Sequence, residues 1–215
     1  MCTPKNSLVL VHQNIRGIIS KIVELQGYFS NDKSYPHILC FSEHHISRDD
    51  VCFVGIENYV LGSSFSQSTF QKGSVCIYIR NDVAFDYLNF SKYYKEKILE
   101  ILTVQIVTTD KQMIVMCVFR LPSDDFNQFF RLLDMALLSL NKPAAEILIC
   151  GDFNIDYLLS CNHKQKLLLL GAYNMMHTRS QNGHSSAIDH IFVVNSRMQS
   201  YEIFPSSNAL LDHEV

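Results

Sequence analysis

Charge, paired cysteine motifs and long apolar runs are all scarce in this sequence of 215 residues. No run approaches the roughly 18 apolar residues of a membrane-spanning helix, and the first residues lack a signal-peptide layout, so we expect no membrane partner. Charged residues make up 18% of the chain, and the formal net charge is −3. This balance argues against a broad polybasic face, so any nucleic acid would have to be contacted by individual arginines. Repeats, low-complexity tracts and interior linkers are also missing, which favours one domain over residues 1–215.

The seven cysteines are an odd number. They show neither a CxxC pair nor the Cys/His spacing of a zinc site. Cys40, Cys76, Cys117 and Cys150 each lie inside an apolar, strand-like run. We therefore expect buried free thiols in a reducing compartment.

The hydrophobic residues, 47% of the chain, recur in short runs bounded by turn residues. Their patterns predict strands over residues 7–13, 37–41, 74–80, 99–108, 113–119, 147–150 and 187–195. Helical spacing predicts helices over residues 18–29, 125–140 and 164–172. Residues 58–70 have the composition of a surface loop, and residues 109–112 that of a hairpin turn. This mixture predicts an α+β or α/β layered sandwich around one core.

The stretch Glu146–Asp156 (EILICGDFNID) is the most informative in the chain. A buried strand is broken at Gly151, and strand alternation then places Asp152 and Asn154 on one side and Phe153 towards the core. An aspartate can take a proton from water, and an asparagine can donate to a phosphate oxygen without adding charge. Alternatively, Gly-Asp-x-Asn is only a turn that closes a strand.

Other polar residues also fall at the ends of apolar runs. Ionisable groups are rarely buried unless they are paired or bind a metal, so we expect these residues to converge on one rim. A glutamate is a hard oxygen ligand suited to Mg²⁺, and a carboxylate can hold a histidine in one tautomer. A metal ion, an Asp–His pair and an Asp–Asn pair together fit in-line phosphodiester hydrolysis. The residues are Asn14, Glu43, Asp152 with Asn154, Asp189, and Asp212-His213.

The other histidines are expected to be surface or satisfied core residues, with His190 a possible competitor for Asp189. Arg16, Arg120 and Arg179 neighbour the motifs, where they could contact DNA phosphates.

Several short motifs occur in one order along nearly the whole chain: Asn14-Ile15-Arg16, Ser42-Glu43, Lys72-Gly73-Ser74-Val75, Phe119-Arg120-Leu121-Pro122, Gly151-Asp152-Phe153-Asn154, Thr178-Arg179, Ile188-Asp189-His190 and Asp212-His213. Together they resemble the endonuclease/exonuclease/phosphatase superfamily. Within it, the chain resembles the apurinic-type endonuclease domain of non-LTR (LINE-like) retrotransposons.

The resemblance implies an α+β, DNase I-like fold, a four-layered αββα sandwich. It also implies Mg²⁺, or Mn²⁺ in its place, held by Glu43 with Asn14. Asp152 would activate or position the attacking water, and Asn154 would orient the scissile phosphate. The Asp189–His213 pair would contact and polarise that phosphate, and Asp212 would be a further acid. Expected substrate contacts are Arg16, Phe119, Arg120, Thr178 and Arg179.

The implied function is nicking of one strand of double-stranded DNA, leaving a 3′-hydroxyl that primes a reverse transcriptase in the same natural polypeptide. Such a protein would be made in the cytoplasm and act on chromosomal DNA in the nucleus.

The chain also departs from the family pattern. Phe119 stands where the family commonly has Tyr, and Leu211 where it has Ser. Relatives continue into a closing strand beyond the position of Val215, so we expect a domain without its final strand or one cut from a longer polyprotein. Two alternatives stay open: another hydrolase of the superfamily, acting on RNA, abasic DNA or inositol phosphates, or a catalytically weakened module that binds DNA or protein.

Overall fold

The computed structural model describes residues 7–31, 36–47, 54–65, 74–107, 112–122, 125–140, 145–156, 158, 173–176, 179–181, 184–186, 189–194 and 201–202. For residues 173–176, 179–181 and 184–186 it describes the backbone alone.

Four strands form the first sheet. They are β1 (Leu10–Asn14), β2 (Ile38–Ser42), β3 (Tyr59–Phe65) and β4 (Val75–Arg80). The spatial order is β1-β2-β4-β3, with β1 parallel to β2 and the other pairs antiparallel. Because β2 is covered on both faces, its sequence ILCFS is almost continuously apolar and every residue in it is buried.

Six strands form the second sheet. They are β5 (Phe85–Leu88), β6 (Glu100–Val107), β7 (Gln112–Phe119), β8 (Glu146–Asp152), β9 (Tyr173–Met176) and β12 (Asp189–Val194). Their order is β5-β6-β7-β8-β12-β9, and the pair β7–β8 is parallel. A separate two-stranded ribbon joins β10 (Arg179–Gln181) to β11 (His184–Ser186). The antiparallel pairing of β6 with β7 confirms the hairpin predicted around residues 109–112.

Two helices cover the outer faces of the sheets. α1 (Ile22–Asn31) follows a 3₁₀ turn at Ile19–Lys21 and packs Leu25 against Phe41 of the first sheet. α2 (Phe126–Leu140) packs Phe129 and Leu133 against the second sheet. Its first turn is capped by Asp125, whose Oδ1 accepts hydrogen bonds from the backbone of residues 127 and 128 at 2.9 and 3.2 Å.

A third apolar cluster lies between the sheets and joins residues such as Ile77 and Val115. The order of layers is therefore α1, first sheet, second sheet, α2, which confirms the predicted αββα sandwich. No helix among the described residues is long and apolar enough to cross a membrane.

One predicted element is wrong. Residues 58–70 were expected to form a surface loop, but residues 59–65 form β3 at the edge of the first sheet. The strand is bulged between Leu61 and Ser63, and Gly62 packs closely against Ile79. A bulge disturbs strict alternation, which explains why periodicity missed the strand. The helix predicted over residues 164–172 lies outside the described residues.

Candidate active site

The candidate site lies where the ends of three strands, β1, β2 and β8, meet. Asn14 is the last residue of β1, and it is paired in register with Ser42 at the end of the parallel strand β2. Glu43 therefore follows at the same edge. Asp152 ends β8 of the second sheet. Because the two sheets face each other, the edges that carry these side chains meet.

The amide of Asn14 joins the two carboxylates. Its Nδ2 donates to Glu43 Oε1 at 2.9 Å and to Asp152 Oδ2 at 2.7 Å. Asn14 and Asp152 are almost completely buried, with exposed fractions of 2% and 1%. The predicted convergence of Asn14, Glu43 and Asp152 is therefore confirmed, between residues as far as 138 positions apart in the chain.

Glu43 is held in an ionised state by its neighbours. Its Oε2 lies 3.7 Å from Arg16 Nε and 3.6 Å from His45 Nε2. Burial raises the pKa of the Glu43 carboxyl, but the hydrogen bonds from His45 and Asn14 and the charge of Arg16 outweigh burial, so the net pKa is lowered. His45 had been assigned to the surface or satisfied-core group, and its place beside Glu43 is a finding of the structure.

Asp152 is in the opposite electrostatic situation. Burial raises its pKa well above the usual range, and the charge of Asp189, which is paired with it in register between β8 and β12, raises it further. The hydrogen bond from the backbone N–H of Asn154 to Asp152 Oδ1, at 3.0 Å, acts the other way. A carboxylate in these surroundings binds a proton more readily than one in water.

The backbone at Gly151 explains how Asp152 reaches this position. Gly151 has φ +156°, and a Cβ on it would lie 1.9 Å from the carbonyl oxygen of Val118 on the adjacent strand β7. No side chain fits there, so β7 and β8 approach more closely than another residue would allow. The glycine in Gly-Asp-x-Asn is therefore needed for the packing of β8 against β7, and is not only a turn residue that closes a strand.

Asn154 is oriented by a turn rather than by strand alternation. β8 ends at Asp152, and Asn154 lies in the left-handed region with φ 50°. Its Nδ2 donates to the carbonyl of Arg120 at 2.6 Å. Phe153, as predicted, is fully buried and packs against Phe129 of α2.

The structure corrects the predicted role of Arg120. Its side chain is 3% exposed and lies over the rings of Phe126 and Phe129. Nη1 donates to the carbonyls of Phe153 at 3.2 Å and Asn154 at 3.3 Å. A guanidinium used in this way supports the turn that carries the site, because its N–H groups are directed to backbone carbonyls rather than to a DNA phosphate.

The substrate contact predicted at Phe119 is also corrected. Phe119 is 2% exposed and belongs to the apolar cluster between the sheets. It is paired in register with Asp152 on β8. Its ring packs beneath the site, because an apolar side chain at this strand end is drawn into the core rather than towards solvent.

A support for Glu43 was missed by the sequence reasoning. Glu100, which is fully buried at the start of β6, accepts a hydrogen bond from the Ser74 backbone N–H at 2.6 Å. Ser74 in turn accepts the N–H of Glu43 on its carbonyl at 2.8 Å, and the N–H of His45 on its hydroxyl at 3.2 Å. The chain of bonds from Glu100 through Ser74 fixes the backbone on which Glu43 stands.

The structure describes the positions of some of the remaining predicted residues, and others lie outside the described residues. Arg16 lies beside Glu43 with 48% of its side chain exposed, which leaves it accessible to a ligand. Asp189 begins β12 opposite Asp152.

His190 points away from the site. It is 1% exposed and donates from Nε2 to the carbonyl of Ile155 at 2.8 Å, so it is a satisfied core histidine. Arg179 is described only as backbone of β10, and Thr178, Asp212 and His213 lie outside the described residues.

The donor set at the rim fits a hard divalent cation. Glu43 provides a carboxylate, and Asn14 Oδ1 is buried without a hydrogen-bond partner among the described residues. Carboxylate and amide oxygens are the ligands that Mg²⁺ takes in proteins. A buried acceptor without a partner is costly, and a cation would supply one.

Comparison with solved structures shows the same fold. The endonuclease domain of TRAS1, a telomere-specific non-LTR retrotransposon, matches with a TM-score of 0.68 at 10% identity, over 96% of this chain and 94% of that one. TDP2 from D. rerio, complexed with a single-strand DNA product, matches with a TM-score of 0.60 at 12% identity, over 89% and 85%. The 3′-5′ exonuclease NExo from Neisseria meningitidis matches with a TM-score of 0.61 at 16% identity, over 86% of each chain.

No curated protein sequence matches the chain at a significant level. A family model does: the one described as the endonuclease/exonuclease/phosphatase family matches residues 4–209. The match covers both sheets, both helices and the site residues from Asn14 to Asp189, whereas Asp212 and His213 lie beyond it. The chain therefore belongs to the endonuclease/exonuclease/phosphatase family.

Proposed function

We propose that this chain is a Mg²⁺-dependent DNA endonuclease domain of the LINE-like retrotransposon type, which nicks one strand of double-stranded DNA and leaves a 3′-hydroxyl. The observation that carries the proposal is the amide of Asn14, which bridges Glu43 and Asp152 at 2.9 and 2.7 Å. The likeness to the endonuclease domain of a non-LTR retrotransposon supports the choice within the family.

In this proposal Asp152 takes the proton of the attacking water. Its raised pKa makes the carboxylate a stronger base than an exposed aspartate, and the bonds from Asn14 and Asn154 hold its two oxygens in place. The water oxygen attacks phosphorus, the bond from phosphorus to the 3′ oxygen breaks, and that oxygen takes up a proton. The products are a 5′-phosphate and a 3′-hydroxyl.

Other residues position the phosphate. An amide nitrogen carries two N–H groups, and Asn154 would give one to the carbonyl of Arg120 and the other to a phosphate oxygen. Asp189, with His213 as its partner, would contact and polarise the same phosphate, and Asp212 would handle protons nearby. Arg16, exposed at the rim, would contact the DNA backbone.

Nucleases of this family generally use divalent metal ions. Glu43 with Asn14 would hold Mg²⁺, or Mn²⁺ in its place, and the bound ion would neutralise charge on the phosphate. Arg16 and His45, which lie against Glu43 Oε2, keep that carboxylate ionised and ready to bind.

The biological setting follows from the same proposal. A 3′-hydroxyl at a nick is a primer, so the natural polypeptide would also carry a reverse-transcriptase domain that extends it. The substrate would be chromosomal DNA, reached in the nucleus after synthesis in the cytoplasm.

The test is a nicking assay on supercoiled plasmid with Mg²⁺, comparing the unmodified protein with Asp152→Asn. We expect the rate to fall by about 10²–10⁴-fold, because the proton acceptor is lost while the shape is kept. Asp86→Asn, on the exposed part of the edge strand β5, is the matched control and should nick at the unmodified rate. Extension of the nick by a DNA polymerase without prior treatment checks for the 3′-hydroxyl.

The assay also separates the alternatives. Turnover of an abasic oligonucleotide, RNA, a 3′-phosphorylated DNA end or a phosphoinositide, without plasmid nicking, would replace the endonuclease proposal with another hydrolase of the family. If no substrate is turned over and Asp152→Asn binds DNA as tightly as the unmodified chain, a binding module is the better reading.

A further inference from the structure

Beneath the candidate active site, the fold brings three cysteines together that are far apart in the sequence. The sulfur atoms of Cys40, Cys117 and Cys150 all lie within 4.8 Å of one another, and each residue is completely buried. Cys40 belongs to β2 of the first sheet, whereas Cys117 and Cys150 are paired in register on β7 and β8 of the second. The cluster therefore spans the gap between the two sheets.

The strand positions place this cluster one step below the site. Cys150 precedes Asp152 by two residues on β8, and Cys40 is paired in register with His12, which precedes Asn14 by two residues on β1. In a strand, residues two apart share a face, so the thiols and the site residues project into the same inter-sheet space. The thiol of Cys117 also reaches across this space, with its sulfur 3.9 Å from the carbonyl oxygen of Phe41.

We propose that Cys40, Cys117 and Cys150 form a thiolate site for a thiophilic divalent ion of the Zn²⁺ class, distinct from the Mg²⁺ position at Glu43 and Asn14. Three sulfurs bound to one Zn²⁺ at about 2.3 Å lie about 3.8 Å apart, so only small side-chain shifts are needed. Binding breaks three S–H bonds, forms three Zn–S bonds and releases three protons, with no change in oxidation state.

Softness of the ligands decides which ion each site takes. Thiolates favour Zn²⁺ and related ions, whereas the carboxylate and amide oxygens above them favour Mg²⁺. His12 is paired in register with Cys40 on β1, and its charge helps to lower the pKa of the Cys150 thiol. The divalent charge offsets most of the negative charge that three thiolates would bring into the core.

The spacing of these cysteines explains why no sequence pattern announces the site. Zinc ligands are usually recognised as close pairs along the chain. Here each ligand comes from a different strand, and the pairing of β2, β7 and β8 across the sandwich brings the sulfurs together. An ion bound at this position would tie the two sheets to each other directly under Asp152.

The test uses Co²⁺, whose visible absorption is strong in a tetrahedral thiolate site and weak with oxygen ligands. The full chain is refolded under reducing conditions with Co²⁺ and excess Mg²⁺, because the buried site must be loaded before the sheets close. We expect thiolate-to-metal charge-transfer bands at one Co²⁺ per chain, removed by Zn²⁺. The bands should be lost in Cys117→Ala and kept in Cys76→Ala, whose equally buried thiol faces α1 instead.

A measurement on the unmodified chain keeps the proposal open to refutation if Cys117→Ala fails to fold. X-ray absorption of the Zn²⁺-loaded protein should show sulfur neighbours at about 2.3 Å. Nitrogen and oxygen neighbours alone, or charge-transfer bands that persist unchanged in a folded Cys117→Ala, would overturn the proposal. Asp152→Asn should keep the bands, so this result is independent of whether the chain nicks DNA.

Discussion

At the scale of the residue, the candidate site depends on groups held in unfavourable surroundings. Asp152 is buried, faces Asp189 and has a raised pKa, so the fold sacrifices some stability to keep a basic carboxylate there. Two neighbouring residues hold Asp152 in this position. Gly151 lets the strand approach β7, and Arg120 holds the turn after it.

The variant Arg120→Lys should show whether Arg120 supports the turn after Asp152 or contacts DNA. A lysine cannot reproduce the fork that binds the carbonyls of Phe153 and Asn154, so we expect a loss of about 2–3 kcal/mol in the free energy of unfolding, measured by urea denaturation. The nicking rate should fall while DNA affinity changes little. Arg131→Lys, exposed on α2, is the control, and an effect of Arg120→Lys on affinity alone would restore the predicted DNA contact.

Gly151→Ala and Gly27→Ala should have opposite effects. At Gly151 an added Cβ would overlap the backbone of Val118, and we expect a cost of more than about 3 kcal/mol in the free energy of unfolding. At Gly27, inside α1, the Cβ meets nothing within 4 Å, and alanine should stabilise the helix by about 0.5–1 kcal/mol. Thermal denaturation of the two variants checks the pair, and equal effects would contradict the close approach of β7 and β8.

At the scale of the element, strand ends and the turns after them carry the site. Glu43 follows β2 with φ 54°, and Ser74 precedes β4 with φ 77°. Residues with side chains rarely adopt such angles, and they persist only where neighbours hold them. The hydrogen bond from Ser74 to the buried Glu100 on β6 is such a restraint, and it joins the first sheet to the second.

Glu100→Gln tests that restraint. The amide oxygen still accepts the Ser74 N–H, but more weakly than a carboxylate, so Glu43 should be held less firmly. We expect a higher Mg²⁺ concentration for half-maximal nicking, by about 3–10-fold, which corresponds to about 0.7–1.4 kcal/mol. Glu57→Gln, on the exposed surface, should leave the Mg²⁺ dependence unchanged. A normal Mg²⁺ requirement in Glu100→Gln would mean that Ser74 is fixed by other contacts.

At the scale of the whole molecule, the same layered core that assembles the site buries His190 and partly buries His37, and both rings are favoured in the neutral form. Burial lowers the pKa of His190, whose Nε2 donates to Ile155. Burial, and then the charge of Arg80, lower the pKa of His37, whose Nδ1 accepts the N–H of Val9 at 3.0 Å. Both rings are therefore harder to protonate in the folded chain than in the unfolded one.

The contribution of these two histidines to stability should consequently fall on mild acidification. The unfolded chain takes up a proton near the ordinary histidine value of 6.5, whereas the folded chain does so only at lower pH. The stabilising contribution is thus present above pH 6.5 and is lost as the pH falls below it, with a slope of at most about 1.4 kcal/mol per pH unit for each histidine. Urea denaturation between neutral and acidic pH measures this slope.

His190→Gln should flatten that dependence. Glutamine keeps an N–H for the carbonyl of Ile155 but does not titrate, so the variant should lose less stability below pH 6.5 than the unmodified chain. A pH dependence identical in the two proteins would show that His190 titrates normally.

Local signals in the sequence predicted most of the strands, whereas the four αββα layers were implied by the resemblance to the family. Apolar runs such as ILCF and ILIC must be buried wherever they lie, and the stripe on α2 must face a sheet. The order of the motifs also identified Asn14, Glu43 and Asp152 as neighbours. Tertiary structure alone decided what each polar side chain does. Arg120 and Phe119 have the local signals of site residues yet turn inward, while Glu100 and His45 carry no signal and support Glu43. The reason is that a side chain's role depends on which other strand lies beside it or across the gap between the sheets, and such contacts join residues up to 138 positions apart.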